Sequence, residues 1–173
     1  MILQNAPAWS STAYHNKKQI EISSEDLTGR WYVLFFYPLD FSMICPTELR
    51  EFQRLNKSFA AEETTIIGCS TDSFYSHRAW FAETPTFYKP ITYPILADTS
   101  HAVTKAFGML NAAKGTAFRA TVIVDNTGVV RSLAVNDDSV GRNPSDVLRT
   151  LQALRSGGLC GVNWTQGDGF IRA

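Results

Sequence analysis

An α/β fold, a mixed central β-sheet flanked by helices, is predicted by three features of the sequence. Short β-branched and aromatic runs alternate with segments whose apolar residues recur at near-helical spacing. One pair of runs is joined by Asp125-Asn-Thr-Gly128, which is hairpin-turn chemistry and makes that pair antiparallel. The strand–helix–strand order elsewhere calls for parallel neighbours, so the sheet should be mixed. The chain has 173 residues, 45% hydrophobic and 18% charged, enough for one packed core and short for two.

Each element has its own local reason. After a polar opening stretch, Trp31-Tyr-Val-Leu-Phe-Phe-Tyr37 is a continuous apolar run of strand length, stopped by Pro38, and reads as a buried central strand. Leu39 to Ile44 is a short connection. Pro46 to Glu62 carries Leu49, Phe52, Leu55 and Phe59 on one helical face. Thr64 to Ser70 is a second β-branched run, and Ser73 to Glu83 a second helix holding Trp80 and Phe81. Thr84 to Pro94, with Pro85, Pro90 and Pro94, should be loop; Ser100 to Phe107 resumes a helical pattern ended by Gly108. Arg119 to Val124 and Val129 to Val135 form the hairpin strands, and Asn143 to Leu154 the last helix. The sum is a thioredoxin-like plan: one domain over 1–173, whose Gly-rich end, 156–173, is a C-terminal arm.

Sixteen basic residues balance sixteen acidic ones, and no cationic cluster exceeds Lys17-Lys18. Nucleic acid and anionic membranes are therefore not expected partners, and a small neutral substrate suits the balance. The opening residues have neither a basic region nor an apolar run of signal-peptide length, and no segment has the length and apolarity of a bilayer span. A cytoplasmic location is expected.

Cys45, Cys69 and Cys160 are odd in number and far apart, unlike a disulfide framework or a zinc knuckle. Cys69 lies inside an apolar run and should be buried as a small hydrophobe. His15, His77 and His101 have no ligand spacing with each other or with the cysteines, and should take surface or packing roles. Cys45 precedes Pro46, a residue favoured in the first turn of a helix. Unpaired N–H groups and the positive end of the dipole would there favour a thiolate. Burial as a small apolar residue competes with this reading. The sequence Cys45-Pro-Thr-Glu48 lacks the second thiol of a Cys-x-x-Cys oxidoreductase. A lone reactive thiol oxidised to sulfenic acid needs a resolving thiol from elsewhere, and Cys160 in the Gly-rich arm could supply one.

Pro38-Leu-Asp-Phe-Ser-Met-Ile-Cys-Pro-Thr-Glu48 closely resembles the peroxiredoxin signature Pro-x-x-x-Thr/Ser-x-x-Cys, with Pro-Thr-Glu following as in the alkyl hydroperoxide reductase C branch. The resemblance continues through Ile67 to Ser73, His77 to Trp80, Tyr93 to Asp98, Ala106 to Leu110 and Phe118 to Asp125. Leu159-Cys-Gly-Val-Asn-Trp164 is similar to that branch's resolving segment, Val-Cys-Pro-Ala-x-Trp. It implies a thiol peroxidase, without metal or cofactor, that reduces hydrogen peroxide and organic hydroperoxides. Cys45 would be the peroxidatic nucleophile, Pro38 a shield, Ser42 a hydroxyl donor to peroxide and Arg119 the cation. Glu48 would orient the arginine network, or serve the helix dipole from the first turn. Cys160 of a partner chain would resolve the sulfenic acid, implying a homodimer, often a ring of five dimers (a decamer). The reductant would be a dithiol, either thioredoxin or a flavoprotein disulfide reductase.

Ionisation alone cannot drive such chemistry. A free thiol with a pKa near 8.5 is about 3% ionised at pH 7, so full ionisation gains only about thirtyfold. Donors aimed at the leaving oxygen, worth on the order of 10²–10³ each, must supply more. The sequence departs from the family in having Ser42 for threonine and Gly161 for proline. It also has no Gly-Gly-Leu-Gly loop, its place being taken by Thr86-Phe-Tyr-Lys-Pro90, and no Tyr-Phe motif on a C-terminal helix. Easy unwinding around Cys45 and resistance to overoxidation are therefore expected. The competing function is a redox sensor or oligomeric chaperone using the same thiol; a thioredoxin-type reductase is disfavoured by Glu48 where a second cysteine would stand.

Overall fold

The computed structural model describes residues 1–83 and 85–172. The chain opens with a hairpin, β1 (Ser10–His15) paired antiparallel to β2 (Lys18–Ser23). The sequence hides it because β2 is an outer strand whose Lys18, Gln19 and Glu21 face solvent. Its turn is made by Asn16 and Lys17, both at positive φ (50° and 67°), as a two-residue hairpin of strand-matched twist requires. There follow β3 (Trp31–Phe36), α1 (Cys45–Ala61), β4 (Thr64–Ser70) and α2 (Phe74–Trp80). Residues 85–94 hold no helix or strand, as the prolines predict; Thr84 lies outside the described residues. The chain continues with β5 (Ile95–Ala97), α3 (Ala102–Ala106), the two-residue partners β6 (Leu110–Asn111) and β7 (Thr116–Ala117), β8 (Arg119–Val124), β9 (Val130–Asn136) and α4 (Pro144–Ser156). Three residues of β5, directly after Pro94, were too few to show a period.

The main sheet runs β2-β1-β5-β4-β3-β8-β9. β3 pairs parallel with β4 and β4 with β5, while β8 lies antiparallel to β3 and β9 antiparallel to β8. This is the mixed α/β sheet the sequence predicts. β3 shows why its sequence is apolar throughout: Val33 and Phe35 face one core, with Leu49, Phe52 and Phe59 of α1 and Leu151 of α4, while Tyr32, Leu34 and Phe36 face the other, with Val103 and Phe107. A strand covered on both faces has no polar side to alternate with.

The topology fixes where chemistry can gather. β3 ends at Phe36 and feeds, through residues 37–44, into the start of α1. Because Phe35 pairs with Thr121 in antiparallel register, Arg119 at the head of β8 lies beside that same end of β3.

Candidate active site

Cys45 is the first residue of α1, with Pro46 in the first turn. Its side chain is fully buried. The Nη1 of Arg119 donates to the Cys45 sulfur at 3.3 Å and to Oε2 of Glu48 at 2.8 Å. The Nε of Arg119 donates to the Asp138 carbonyl at 2.8 Å, which fixes the guanidinium plane from the far side. Burial works against the Arg119 cation, but the bond to the Cys45 sulfur and the negative charges of Cys45 and Glu48 outweigh it and hold its pKa above the ordinary value.

A second arginine, which the sequence reading missed, completes the cluster. Arg142 donates to Oε1 of Glu48 from its backbone N–H at 2.8 Å and from Nε at 3.0 Å. Its remaining donors reach the carbonyls of Ala120 (2.7 Å) and Phe36 and the hydroxyl of Thr121 (3.2 Å), and its guanidinium lies 5.2 Å from the Phe35 ring centre. Burial lowers its pKa, with the attraction of Glu48 as the main opposing effect. Arg142 follows Gly141 in a polar stretch between β9 and α4 that reads as surface loop. Gly141 was the available signal: a Cβ there would come within 3.2 Å of Ile44, the residue before Cys45. Two buried arginines share one buried carboxylate, so the three side chains carry one net positive charge, which a Cys45 thiolate balances.

Cys45, Glu48 and Arg119 are thus brought together as the sequence led one to expect. Pro38 is half-buried in the loop that covers them. Ser42, in the same loop, donates its hydroxyl to the Leu39 carbonyl at 2.8 Å and makes no bond to Cys45. Phe41 between them takes a left-handed backbone (φ 55°), a conformation costing a residue of its size about 1–2 kcal/mol, and rests on Trp80 with ring centres 5.9 Å apart. His77, expected at a surface or packing position, is fully buried in a polar network with Tyr37 and Asp40 beneath this loop.

Cys160 contacts none of these residues. It is half-buried just after α4, its sulfur 3.4 Å from the Ser156 hydroxyl and 3.6 Å from the Ala153 carbonyl. The arm beyond it folds back: Trp164 is buried and stacks on Phe170 at 5.9 Å and 13°, and the Ile171 N–H donates to the Leu159 carbonyl at 2.8 Å. Gly158 permits this, since a Cβ there would lie 2.3 Å from the Phe170 ring. Cys69 is fully buried, and burial, then the charge of Asp98, raises its pKa well above the ordinary value. All three cysteines are free thiols. Among the described residues, no group of His, Cys, Asp and Glu side chains is arranged to hold a metal ion, and no helix is long and apolar enough to cross a membrane.

A sulfur at a helix start, bonded to a buried cation that is itself held by a carboxylate, can present a thiolate to an electrophile and meet the negative charge that leaves. Alkyl hydroperoxide reductase C of Mycolicibacterium smegmatis is 41% identical over 152 residues, covering 88% of this chain and 77% of that protein. A reduced 2-Cys peroxiredoxin from Plasmodium vivax superposes with a TM-score of 0.93 at 28% identity, covering 98% of this chain and 91% of that one. Mycobacterium bovis AhpC gives 0.85 at 36% identity, covering 95% and 97%. These likenesses carry the thioredoxin-like assignment of the sheet and its helices. The AhpC/TSA family model matches residues 2–133, more than half of the sequence, from before the first hairpin to the middle of β9, and the chain belongs to the AhpC/TSA family.

Proposed function

We propose that the chain is a thiol-dependent peroxidase that reduces hydrogen peroxide and organic hydroperoxides in antioxidant defence. The bond from Arg119 to the Cys45 sulfur, inside a cluster whose net charge calls for one more anion, carries this reading. The Cys45 thiolate attacks the terminal peroxide oxygen, the O–O bond breaks, and the leaving oxygen departs as alkoxide or hydroxide and takes up a proton. Arg119 stabilises the thiolate and then the departing charge. Ser42 turns its hydroxyl from Leu39 to the peroxide, and Pro38 shields the sulfenic acid from water. Glu48 and Arg142 hold Arg119 in place.

Cys160 of a partner chain then attacks the sulfenic sulfur, giving a disulfide and water, and a dithiol, thioredoxin or a flavoprotein disulfide reductase, restores both thiols. A disulfide needs Cα atoms within about 7 Å, so the first turn of α1 must unwind to release the buried Cys45. The partner would pair through β9, an edge strand whose Val130 is bonded to Leu3 and Gln4 but which pairs with no second strand beyond it among the described residues, and would cover the exposed Leu159, Val162 and Ile171 of the arm. In this reading residues 1–173 form one domain with 156–173 as its arm, dimers assemble as far as a decamer, and the protein works in the cytoplasm, where free thiols persist.

Rapid mixing of wild type, Cys45→Ser and Cys160→Ser with peroxide, followed by non-reducing electrophoresis, tests this scheme. Cys45→Ser should not react, and Cys160→Ser should consume one equivalent without forming a disulfide-linked dimer. An intrachain disulfide in the wild type would remove the intersubunit step. Oxidation without sustained turnover in the presence of a dithiol would favour the sensor or chaperone.

A further inference from the structure

The loop 37–44 is tethered from below by a buried polar network that the peroxidase scheme leaves unused. Asp40 is the anchor. Its Oδ1 accepts the Tyr37 hydroxyl at 2.8 Å, and its Oδ2 accepts the Ser76 hydroxyl at 2.8 Å and lies 2.7 Å from Nδ1 of His77. Its backbone N–H donates to Oδ2 of Asp72 at 2.9 Å, and Asp72 is held in turn by the Ser70 hydroxyl at 2.7 Å. The other ring nitrogen of His77, Nε2, lies 3.2 Å from the Leu96 carbonyl oxygen of β5. The Phe81 ring stacks on the imidazole at 5.9 Å, and the side chains of Asp40 and His77 are wholly excluded from solvent.

The hydrogen-bond partners decide the charge. A carbonyl oxygen only accepts, so Nε2 must carry a proton. At Nδ1 the neighbour is a carboxylate oxygen that already accepts from Ser76, while its twin accepts from Tyr37. Two hydroxyl donors converging on one carboxyl group suit the ionised form, which only accepts, and the 2.7 Å contact of Nδ1 with that carboxylate then calls for a proton on Nδ1. Tyr37, whose oxygen is also 3.4 Å from Nδ1, is a donor to Asp40 at the shorter distance. Burial keeps its phenol protonated, with the charge of Asp40 adding to the effect. Burial, then the charge of Asp40, raises the Asp72 carboxyl, and Asp40 is the carboxylate in direct contact with His77.

We infer that Asp40 and His77 form a buried carboxylate–imidazolium pair that ties the loop 37–44 to α2 and β5 and so positions Ser42 and Pro38 over Cys45 for reaction with peroxide. The inference rests on the peroxidase reading of Cys45. Both residues act through the loop: Asp40 is followed directly by Phe41 in its left-handed conformation and then by Ser42, so a shift of the anchor moves the hydroxyl that has to meet the peroxide. They are positioning residues and touch no reacting atom.

Nitrogen NMR of reduced wild-type protein labelled in its histidine rings, with the His77 signals identified by their loss in His77→Gln, reads the protonation directly. At pH 7.5 both His77 ring nitrogens should carry a proton. One bare nitrogen would overturn the pair. In stopped-flow mixing, Asp40→Asn, which keeps the shape and removes the charge, should slow the reaction of Cys45 with hydrogen peroxide about tenfold. The later rate of disulfide formation should stay unchanged. A peroxide step as fast as wild type, or equal slowing of both steps, would overturn the positioning role. If the wild type itself does not react with peroxide, the peroxidase reading fails, and the NMR result still decides the state of His77.

Discussion

Glu48 accepts from Arg119 through one oxygen and twice from Arg142 through the other, with its own side chain 1% exposed. Breaking such a buried pair costs about 3–5 kcal/mol because the partner charges are left unpaired. Glu48→Gln should therefore lower the melting temperature, by roughly 6–20 °C at 2–4 °C per kcal/mol for a chain of this size. Arg119→Met should lower the rate of the peroxide step by about 10²–10³, the worth of one preorganised donor. Arg119→Lys should restore little of it, since an ammonium cannot span sulfur, carboxylate and carbonyl as the planar guanidinium does. Cys45 and Glu48 were legible in the sequence because a motif marks them, and Arg119 because the family resemblance assigns it, its place at a strand end alone suggesting a solvated charge. Arg142 was not, because nothing local says that a polar loop before a helix is folded inward onto a strand end. Nor did the three histidines betray which one is buried, since burial of His77 is decided by Asp40 and Leu96, far away in the chain.

Among the elements, those with their own periodicity were readable to within a few residues: β4 and β8 match their apolar runs, and α1 begins at Cys45 and not Pro46. The hairpin of β1 and β2 was not, because an outer strand needs only one apolar face and its turn uses Asn16 and Lys17 without glycine. The arm is the larger surprise. Its glycines suggested a loose loop, yet Trp164 stacks on Phe170 within it, the Trp164 carbonyl accepts from Arg149, and the Gln166 amide donates to Glu62. Gly158→Ala must displace the Phe170 ring. Once Cys45 is oxidised, that variant should form the Cys45–Cys160 disulfide faster than wild type, seen in the second phase of tryptophan fluorescence after peroxide mixing. It should also need more peroxide for overoxidation to sulfinic acid.

At the scale of the whole molecule, a sheet covered on both faces buries groups that would ionise freely once unfolded. Cys69, Tyr37 and Tyr93 are each held well above their ordinary values, in every case chiefly by burial. Their neutral forms are native, so the stability they contribute is present below those ordinary values and is lost as pH rises through them towards the raised native values. The unfolded chain binds fewer protons there, and the slope is up to about 1.4 kcal/mol per pH unit for each group. Chemical denaturation repeated from pH 8 to 11 should show stability falling from about pH 9 and steepening past 10, and Cys69 should resist alkylation until the chain unfolds.

The charge balance around Cys45 has a consequence for timing. A thiolate makes the cluster of Arg119, Arg142 and Glu48 neutral, whereas a protonated sulfenic acid does not. Each turnover thus erases the anion that the folded helix start was built around, and the oxidised protein carries an unmatched positive charge in its interior. Spent enzyme is in this way marked for opening by its own chemistry: Cys160→Ser treated with one equivalent of peroxide should melt below its reduced form, although no disulfide has formed.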